Sequence, residues 1–533
     1  MTYKAVIGLE THVQLNTNSK MFSSSSAKYQ NSEPNTLVDP TTMGLPGALP
    51  VVNIKAVESA IKIGIALDCS IAESTKFDRK QYFYPDLMKG YQISQFDEPI
   101  CINGFIMLEK QNNKKIRINR VHMEEDVAKL THINSNGNSY SILDINRSGT
   151  PLMEIVTEPD LSSSDEVIEY IESLQQIIRY IKVGSANMEE GSFRCDANIS
   201  VKEESEKKLG TKVEIKNMNR ISAVAEAVDY EIKRQINDIE NNIKIIQETR
   251  GWSEERKKTI PQRTKEESND YRYFPEPDIP PLTIKSSWID QIKNKLPVLP
   301  QKRKENYIKN YQLNEYDASL ITNDINFSDF FDKTINFLPK NIKNNETIKY
   351  LANLMNGEFN RLLNNDSSMA FNKIKFTEND LAELIQIYKS NKINNKILKT
   401  VFEQMWNTGE NPEKIIIDNN MSIVTDTDEL ESTIYNIIED NPKAVEDFLS
   451  GKEQSKKFLL GQVMKVTKGQ ADPSVSNSLI NKMIESRNKF REERNYQKAD
   501  LIRDQLLEKG IEILDSKEGT NIGKFRNVHL ILL

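Results

Sequence analysis

The sequence predicts an α+β protein: a mixed α/β domain first, then an all-helical domain and a helical tail. Three observations carry this prediction. Alternation of apolar and polar residues marks strands at Ala5-Val6-Ile7-Gly8-Leu9 and at Lys212-Val213-Glu214-Ile215-Lys216. Val167, Ile171, Leu174, Ile178 and Ile181 recur at helical spacing. Past Pro300 the pattern is helical and polar, with Asn-rich loops. A chain of 533 residues is too long for one core, so about two to four domains are expected.

The elements follow in order. Met1-Thr2-Tyr3-Lys4-Ala5-Val6 enters a strand at once, without a signal-peptide layout. Gly44 to Pro50 reads as a glycine-proline turn before a helix. Gly149-Thr150-Pro151 is a turn feeding a short apolar stretch. Ser162-Ser163-Ser164 with Asp165 and Glu166 starts a helix that Gly184 is expected to end. A Pro-rich stretch from Pro275 to Pro281 closes the first domain, 1–295. A helical domain is expected over 296–411, a second helical unit over 412–482 and a charged helical hairpin over 483–533.

Bulk properties exclude several classes. No run of about 18 apolar residues exists, so no transmembrane helix is expected. Cys69, Cys101 and Cys195 are far apart and form no metal-spaced pair, which suits a reducing cytoplasm. The net charge of −7 does not advertise a nucleic-acid binder. An acidic chain still binds RNA through a local basic face, because phosphate attraction is screened and local.

The chemistry concentrates in the first half. Glu154 lies among Leu152, Met153, Ile155 and Val156, and a carboxylate there is costly unless paired or metal-bound. Similar mixtures hold Glu10 and His12, then Glu124 and Glu125, then Arg194 and Asp196, then Glu214 and Lys216. Together they predict one acidic, metal-bearing reaction centre. Glu10 and His12 are one residue apart and share a strand face. One imidazole with carboxylates suits Mg²⁺ or Mn²⁺ better than Zn²⁺; Glu124, Glu125 and Glu154 are the other candidate ligands. A lone strand histidine is ordinarily a satisfied core residue, and the surrounding glutamates set His12 apart. Glu214 and Lys216 share a face opposite Val213 and Ile215. They form either a solvated ion pair of little energetic weight or a carboxylate and cation beside a nucleotide or second metal; Arg194 and Asp196 read the same way. No Walker A sequence is present. No glutaminase nucleophile is visible either: Ser23 to Ser26 lacks the glycine-rich, lysine-partnered setting of an amidase serine.

Several stretches together resemble one family, the B subunits of tRNA-dependent amidotransferases. They are Asn146 to Asp160, Phe77 to Asp86, Gln247 to Trp252, Asp270 to Asp278 and Phe458 to Lys465, at family spacing. The resemblance runs from about Tyr3 to about Lys482. It implies a cradle-like catalytic domain over 1–295 and ATP-dependent amidation of Glu-tRNA(Gln), Asp-tRNA(Asn) or both. It implies that His12, one of Glu124 and Glu125, and Glu154 hold a catalytic Mg²⁺. It also implies a cytoplasmic heterotrimer, with ammonia delivered by an amidase-type A subunit and a small C subunit clasping the pair. Many relatives carry two cysteine pairs that bind structural zinc; here Ser23, Ser25, Asp39 and Thr42 stand at those positions, so no zinc is expected. Lys452, Lys456, Lys457, Lys465 and Lys468 are the expected tRNA contacts of the tail. The 483–533 extension is similar to the end of cysteinyl-tRNA synthetases. Two other readings stand beside this one: a ligase joining a small carboxylic acid to an amine, against which the long helical half argues, and a non-catalytic tRNA-binding scaffold, against which the acidic set argues.

Overall fold

The computed structural model describes residues 2–135, 138–264, 271–365, 371–421, 427–450, 452–467, 475–482, 511–516 and 519–525. The strands that position the site are β1 (Tyr3–Gln14), β2 (Ser70–Ile71), β3 (Asp78–Gln81), β4 (Tyr91–Ser94), β5 (Cys101–Leu108), β6 (Lys114–Glu125), β7 (Pro151–Thr157), β8 (Phe193–Glu203), β9 (Val213–Lys216), β10 (Glu248–Ser253), β11 (Lys258–Thr264) and β12 (Phe274–Pro275). Nine of them form one sheet in the order β11-β10-β9-β8-β1-β7-β6-β5-β2. Neighbours are antiparallel except β9 and β10, which run parallel. A separate three-stranded sheet, β12-β3-β4, is tied to the end of β6. There the Gln92 side chain donates to the Glu125 carbonyl at 2.7 Å.

Helices α1 (Ile54–Ala66), α2 (Ser164–Tyr180), α3 (Ile221–Glu240) and α4 (Ser286–Lys295) supply the apolar cover. Strand alternation decides which sheet face they take. Ile7, Leu9 and Val13 of β1 enter one core with Ile61 of α1, Leu174 of α2, Val224 of α3 and Ile292 of α4. Glu10 and His12 project from the opposite face. At about 1.5–3 kcal/mol per fully buried aliphatic side chain, this core fixes the strand phase; a one-residue slip would drive the carboxylates into it.

The Ser163 hydroxyl caps α2 by accepting the Glu166 N–H at 3.3 Å. The helix stops at Tyr180, not at Gly184. Lys182 takes the left-handed turn at φ 57°, and the Val183 N–H closes on the Ile178 carbonyl at 3.2 Å. Gly184 serves another purpose: a Cβ there would lie 2.8 Å from the Gln14 carbonyl.

The compact units also divide later than expected. The first comprises residues 1–310 and 314–328, the second residues 311–313 and 329–533. Leu296 and Leu299 pack on the sheet core, Lys304 pairs with Glu109 at 2.5 Å, and the Gln176 side chain donates to the Thr322 carbonyl at 2.9 Å. These contacts hold the chain beyond 295 to the first unit. The described residues of the second unit up to 482 are mainly helical, as expected. Phe359 packs against Phe330, Phe402 and Trp406. A small core of Leu430, Ile434, Val445, Leu459, Val463 and Ile480 lies within the expected tail. Residues 483–510 lie outside the described residues. Ile511–Ser516 and Gly519–Phe525 form an antiparallel β-hairpin, so the expected helical character does not extend through the end of the chain. Among the described residues, no helix is long and apolar enough to cross a membrane.

Candidate active site

Register assembles the site. His12 on β1 stands opposite Glu154 on β7, and Glu154 stands opposite His122 on β6. Directly opposed residues share a sheet face. Glu124, two residues beyond His122, therefore joins them. His12 Nε2 is 3.4 Å from Glu124 Oε1 and 3.5 Å from Glu154 Oε2. His122 Nε2 is 3.2 Å from the same Glu154 oxygen. Glu10 lies two residues before His12 on β1 and accepts a hydrogen bond from Asn198 Nδ2 at 2.8 Å. Among the described residues, His12, Glu124 and Glu154 are the one group of three potential ligands whose donor atoms all lie within 4.8 Å of one another.

Charge in this cluster is tightly coupled. Burial opposes a charged His12, but Glu124 and Glu154 outweigh it and lift its pKa to about 10. Burial likewise opposes ionised carboxylates. The imidazoles prevail, holding Glu154 well below the usual carboxylate range through His122 and His12, and Glu124 below it through His12. Glu10 moves the other way: burial, then Glu154 and Glu214, push its pKa up.

Glu125 does not reach the cluster. It sits on the opposite face of β6, where Lys89 pairs with it and the Ile93 N–H donates to it at 3.1 Å. Arg194 and Asp196 do not pair with each other. Arg194 turns to the buried Asp126 at 2.9 Å, which Gln14 also holds at 2.7 Å. Burial raises the Asp126 pKa, but Arg194, Arg147 and Gln14 together bring it below the ordinary value. Asp196 instead accepts from Lys216 Nζ at 2.6 Å, and Lys216 lies 3.1 Å from Glu214. An uncompensated buried carboxylate at Asp126 is the costlier alternative, so it takes the guanidinium.

A cavity of about 460 Å³ opens here, lined by Glu10, His12, Glu154, Glu214 and Lys216 among others. Sequence reasoning missed other residues that line it: Lys80, Phe96, Arg120, His122, Tyr271 and Tyr273. Lys80, Tyr271 and Tyr273 belong to stretches that carry the family resemblance, which was the available signal. Among the described residues, Lys80, Arg120 and Lys212 form no ion pair, although all three line the cavity. A larger cavity of about 810 Å³, lined by Met107, Glu169, Gln176 and Thr322 among others, contains none of the cluster residues.

Ser23, Ser25, Asp39 and Thr42 belong to a hydrogen-bonded loop. Asp39 accepts from Ser23 Oγ at 2.8 Å, from Thr42 Oγ1 at 2.6 Å and from the Thr42 N–H at 2.9 Å. Ser25 Oγ is turned to the Leu37 carbonyl at 3.3 Å. In the tail, Lys452 pairs with Asp447 at 2.7 Å. Lys456 lies over the Phe448 ring at 5.9 Å, and Lys457 and Lys465 are exposed. Lys468 lies outside the described residues.

Known proteins share much of this sequence. Residues 5–290 match the family described as the GatB/GatE catalytic domain, and residues 336–484 match the GatB domain. The chain is 48% identical over 488 residues to the B subunit of the aspartyl/glutamyl-tRNA(Asn/Gln) amidotransferase of Dehalococcoides mccartyi, covering 91% of this chain and 99% of that protein. It is 47% identical over 481 residues to the protein of the same name from Caldanaerobacter subterraneus, covering 90% and 99%. For the Caldicellulosiruptor bescii protein of that name the identity is 44% over 488 residues, covering 91% and 100%. With more than half its length inside the catalytic-domain family and nine-tenths aligned to these relatives, the chain belongs to the GatB/GatE family.

Proposed function

We infer that this chain is the amide-forming subunit of a tRNA-dependent amidotransferase, acting on Glu-tRNA(Gln), Asp-tRNA(Asn) or both. Family membership supports the reaction class. The observation that carries the site assignment is the His12–Glu124–Glu154 cluster, of which His12 and Glu154 line a cavity shared with Lys80, Arg120 and Lys212.

A carboxylate is a poor acceptor for ammonia because it has no leaving group. Transfer of the γ-phosphoryl of ATP to the side-chain carboxylate supplies one. Ammonia then attacks the carbonyl carbon, phosphate departs and the nitrogen loses a proton. The cluster fits a divalent cation: two carboxylates and one imidazole converge from three adjacent strands, and oxygen donors predominate. His12, Glu124 and Glu154 would hold Mg²⁺, which when bound supplies stabilisation of charge on the phosphoryl oxygens. His122 Nε2 orients Glu154. Glu10, with its raised pKa, is placed to accept a proton from incoming ammonium. Glu214 and Lys216 are the proposed nucleotide contacts on the polar side, with Asp196 steering Lys216 and Arg194 anchored through Asp126. Glu125 holds Lys89 and takes no ligand role.

Ammonia comes from a separate amidase-type A subunit, and a small C subunit completes a cytoplasmic assembly. Expressing the chain alone and with its amidase partner, with ATP and each misacylated tRNA, tests this reading. Failure to amidate either tRNA with glutamine or with ammonium would overturn it.

A further inference from the structure

The cavity has an aromatic wall that phosphoryl transfer does not need. Tyr82 meets Tyr271 edge-on with centroids 5.7 Å apart, and Tyr271 meets Tyr273 at 6.3 Å. Tyr273 stacks on Phe96 at 4.1 Å with an interplanar angle of 9°. Three of the four rings line the cavity. Phe96 is 57% exposed, so much of this ring is open to a ligand. Lys80 Nζ lies 5.0 Å from the Tyr271 centroid. Burial lowers the Lys80 pKa, but Glu124, Tyr273 and Glu154 raise it more, so the side chain is charged.

We propose that the Tyr82–Tyr271–Tyr273–Phe96 wall is the stacking platform for the unpaired 3′ end of the aminoacyl-tRNA. This rests on the amidotransferase reading above. Rings interleaved with cations are the means by which proteins hold single-stranded nucleic acid without reading its sequence. Every base has a π-face, and Lys80 and Arg120 line the same cavity, where they can meet backbone phosphates. Three cavity-lining rings exceed what one nucleotide base can cover, which favours several unpaired nucleotides over the adenine of ATP. The position is also functional: Phe96, Tyr271 and Tyr273 line the same cavity as Glu154 and His12, so a 3′ end held on them carries its esterified amino acid into that cavity.

The test uses the assembled amidotransferase with Phe96→Ala, Phe96→Trp and Tyr273→Leu. Phe96 is mostly exposed, so its removal leaves the core intact. We expect Phe96→Ala to raise KM for aminoacyl-tRNA about tenfold, the scale of one lost stacking partner, to leave KM for ATP unchanged, and to be rescued by Phe96→Trp. A binding assay without turnover separates this idea from the function itself. Equilibrium binding of uncharged tRNA is compared with that of tRNA lacking its unpaired 3′ nucleotides. The wild-type enzyme should lose affinity on truncation, and Phe96→Ala should lose about tenfold less. An unchanged tRNA KM in Phe96→Ala and Tyr273→Leu would overturn the proposal. So would a rise in KM for ATP alone, which would give the wall to the adenine of the nucleotide. If the wild type forms no amide yet loses more affinity on truncation than Phe96→Ala does, the reaction assignment fails and the platform stands.

Discussion

Asp39 and Glu154 belong to the same folded unit, and both are held as carboxylates, but by different kinds of partner. Asp39 is fixed by neutral donors alone, two hydroxyls and one backbone N–H. Glu154 faces a second carboxylate and two imidazoles, at 3.5 Å for His12 and 3.2 Å for His122. Neutral donors have no charge to exchange, so the Asp39 loop is complete as it stands. Ionisable neighbours leave a charge state that a proton or a cation can settle. Within one domain, the partners of a carboxylate mark its role better than its burial does.

The sharpest way to break this comparison is to remove a member of the charged cluster. His12→Ala or Glu154→Ala should lower amide formation by about a thousandfold or more, with glutamine and with ammonium alike, because phosphoryl transfer loses its stabilised charge. Folding should survive. Near-normal turnover with ammonium would remove these residues from the centre. Glu125→Gln is the matched control for metal binding: it should leave the Mg²⁺ concentration dependence unchanged, since Glu125 faces Lys89.

Chelation divides the two sites next. EDTA should abolish amide formation, and millimolar Mg²⁺ should restore it, while the circular dichroism spectrum stays constant. The purified chain should contain no stoichiometric zinc, because hydroxyls and a carboxylate stand where thiolates would be needed. Metal analysis finding one tightly held zinc per chain would erase the contrast.

Asp39→Asn carries a smaller effect, and it falls on stability. Asp39 caps the short helix Pro40–Met43, and loss of such a cap costs about 1 kcal/mol; an asparagine keeps part of it. The sign of its pH dependence follows from the native carboxyl. Burial raises its pKa, but the Thr42 and Ser23 hydrogen bonds outweigh that and leave it lowered. A depressed native pKa stabilises above the unfolded value of about 3.9, and that stability is lost as pH falls through the native value. Denaturation midpoints of wild type and Asp39→Asn should therefore differ near pH 7 and converge in acid. A gap that widens in acid would contradict the assigned hydrogen bonds.

The sequence made much of this legible where period alone decides. Alternation in β1 put Glu10 and His12 on one face, and the spacing from Val167 to Ile178 gave the buried side of α2. Pairing partners were not legible. His122 enters only because β6 lies beside β7 in a particular register, and the choice of Glu124 over Glu125 is the phase of β6 at its end. The Arg194–Asp126 pair joins residues far apart in sequence, so the nearer Asp196 was the natural but incorrect partner. The end of α2 misled for a local reason: a lysine took the left-handed position usually given to glycine. The domain boundary was obscured because apolar residues just past the Pro-rich stretch return to the sheet core.

The smallest effect separates bound from unbound cations in the tail. Lys452 already has a carboxylate partner in Asp447 at 2.7 Å, whereas Lys457 and Lys465 are exposed on the helix Glu453–Val466. That helix buries only Leu459 and Val463, so its lysines are dispensable for folding. If the tail contacts tRNA, Lys457→Ala with Lys465→Ala should raise KM for tRNA about threefold to tenfold and leave kcat unchanged. Each lost phosphate contact should also reduce the slope of log affinity against log salt by roughly 0.7–0.9. Lys452→Ala should change neither quantity measurably, because an exposed ion pair contributes about 0–1 kcal/mol and that lysine is already engaged. Equal effects from all three substitutions would mean that pairing within the chain does not decide which cations meet RNA. A salt slope that is unchanged in the double variant would leave these lysines as the solvated face of a small helical core.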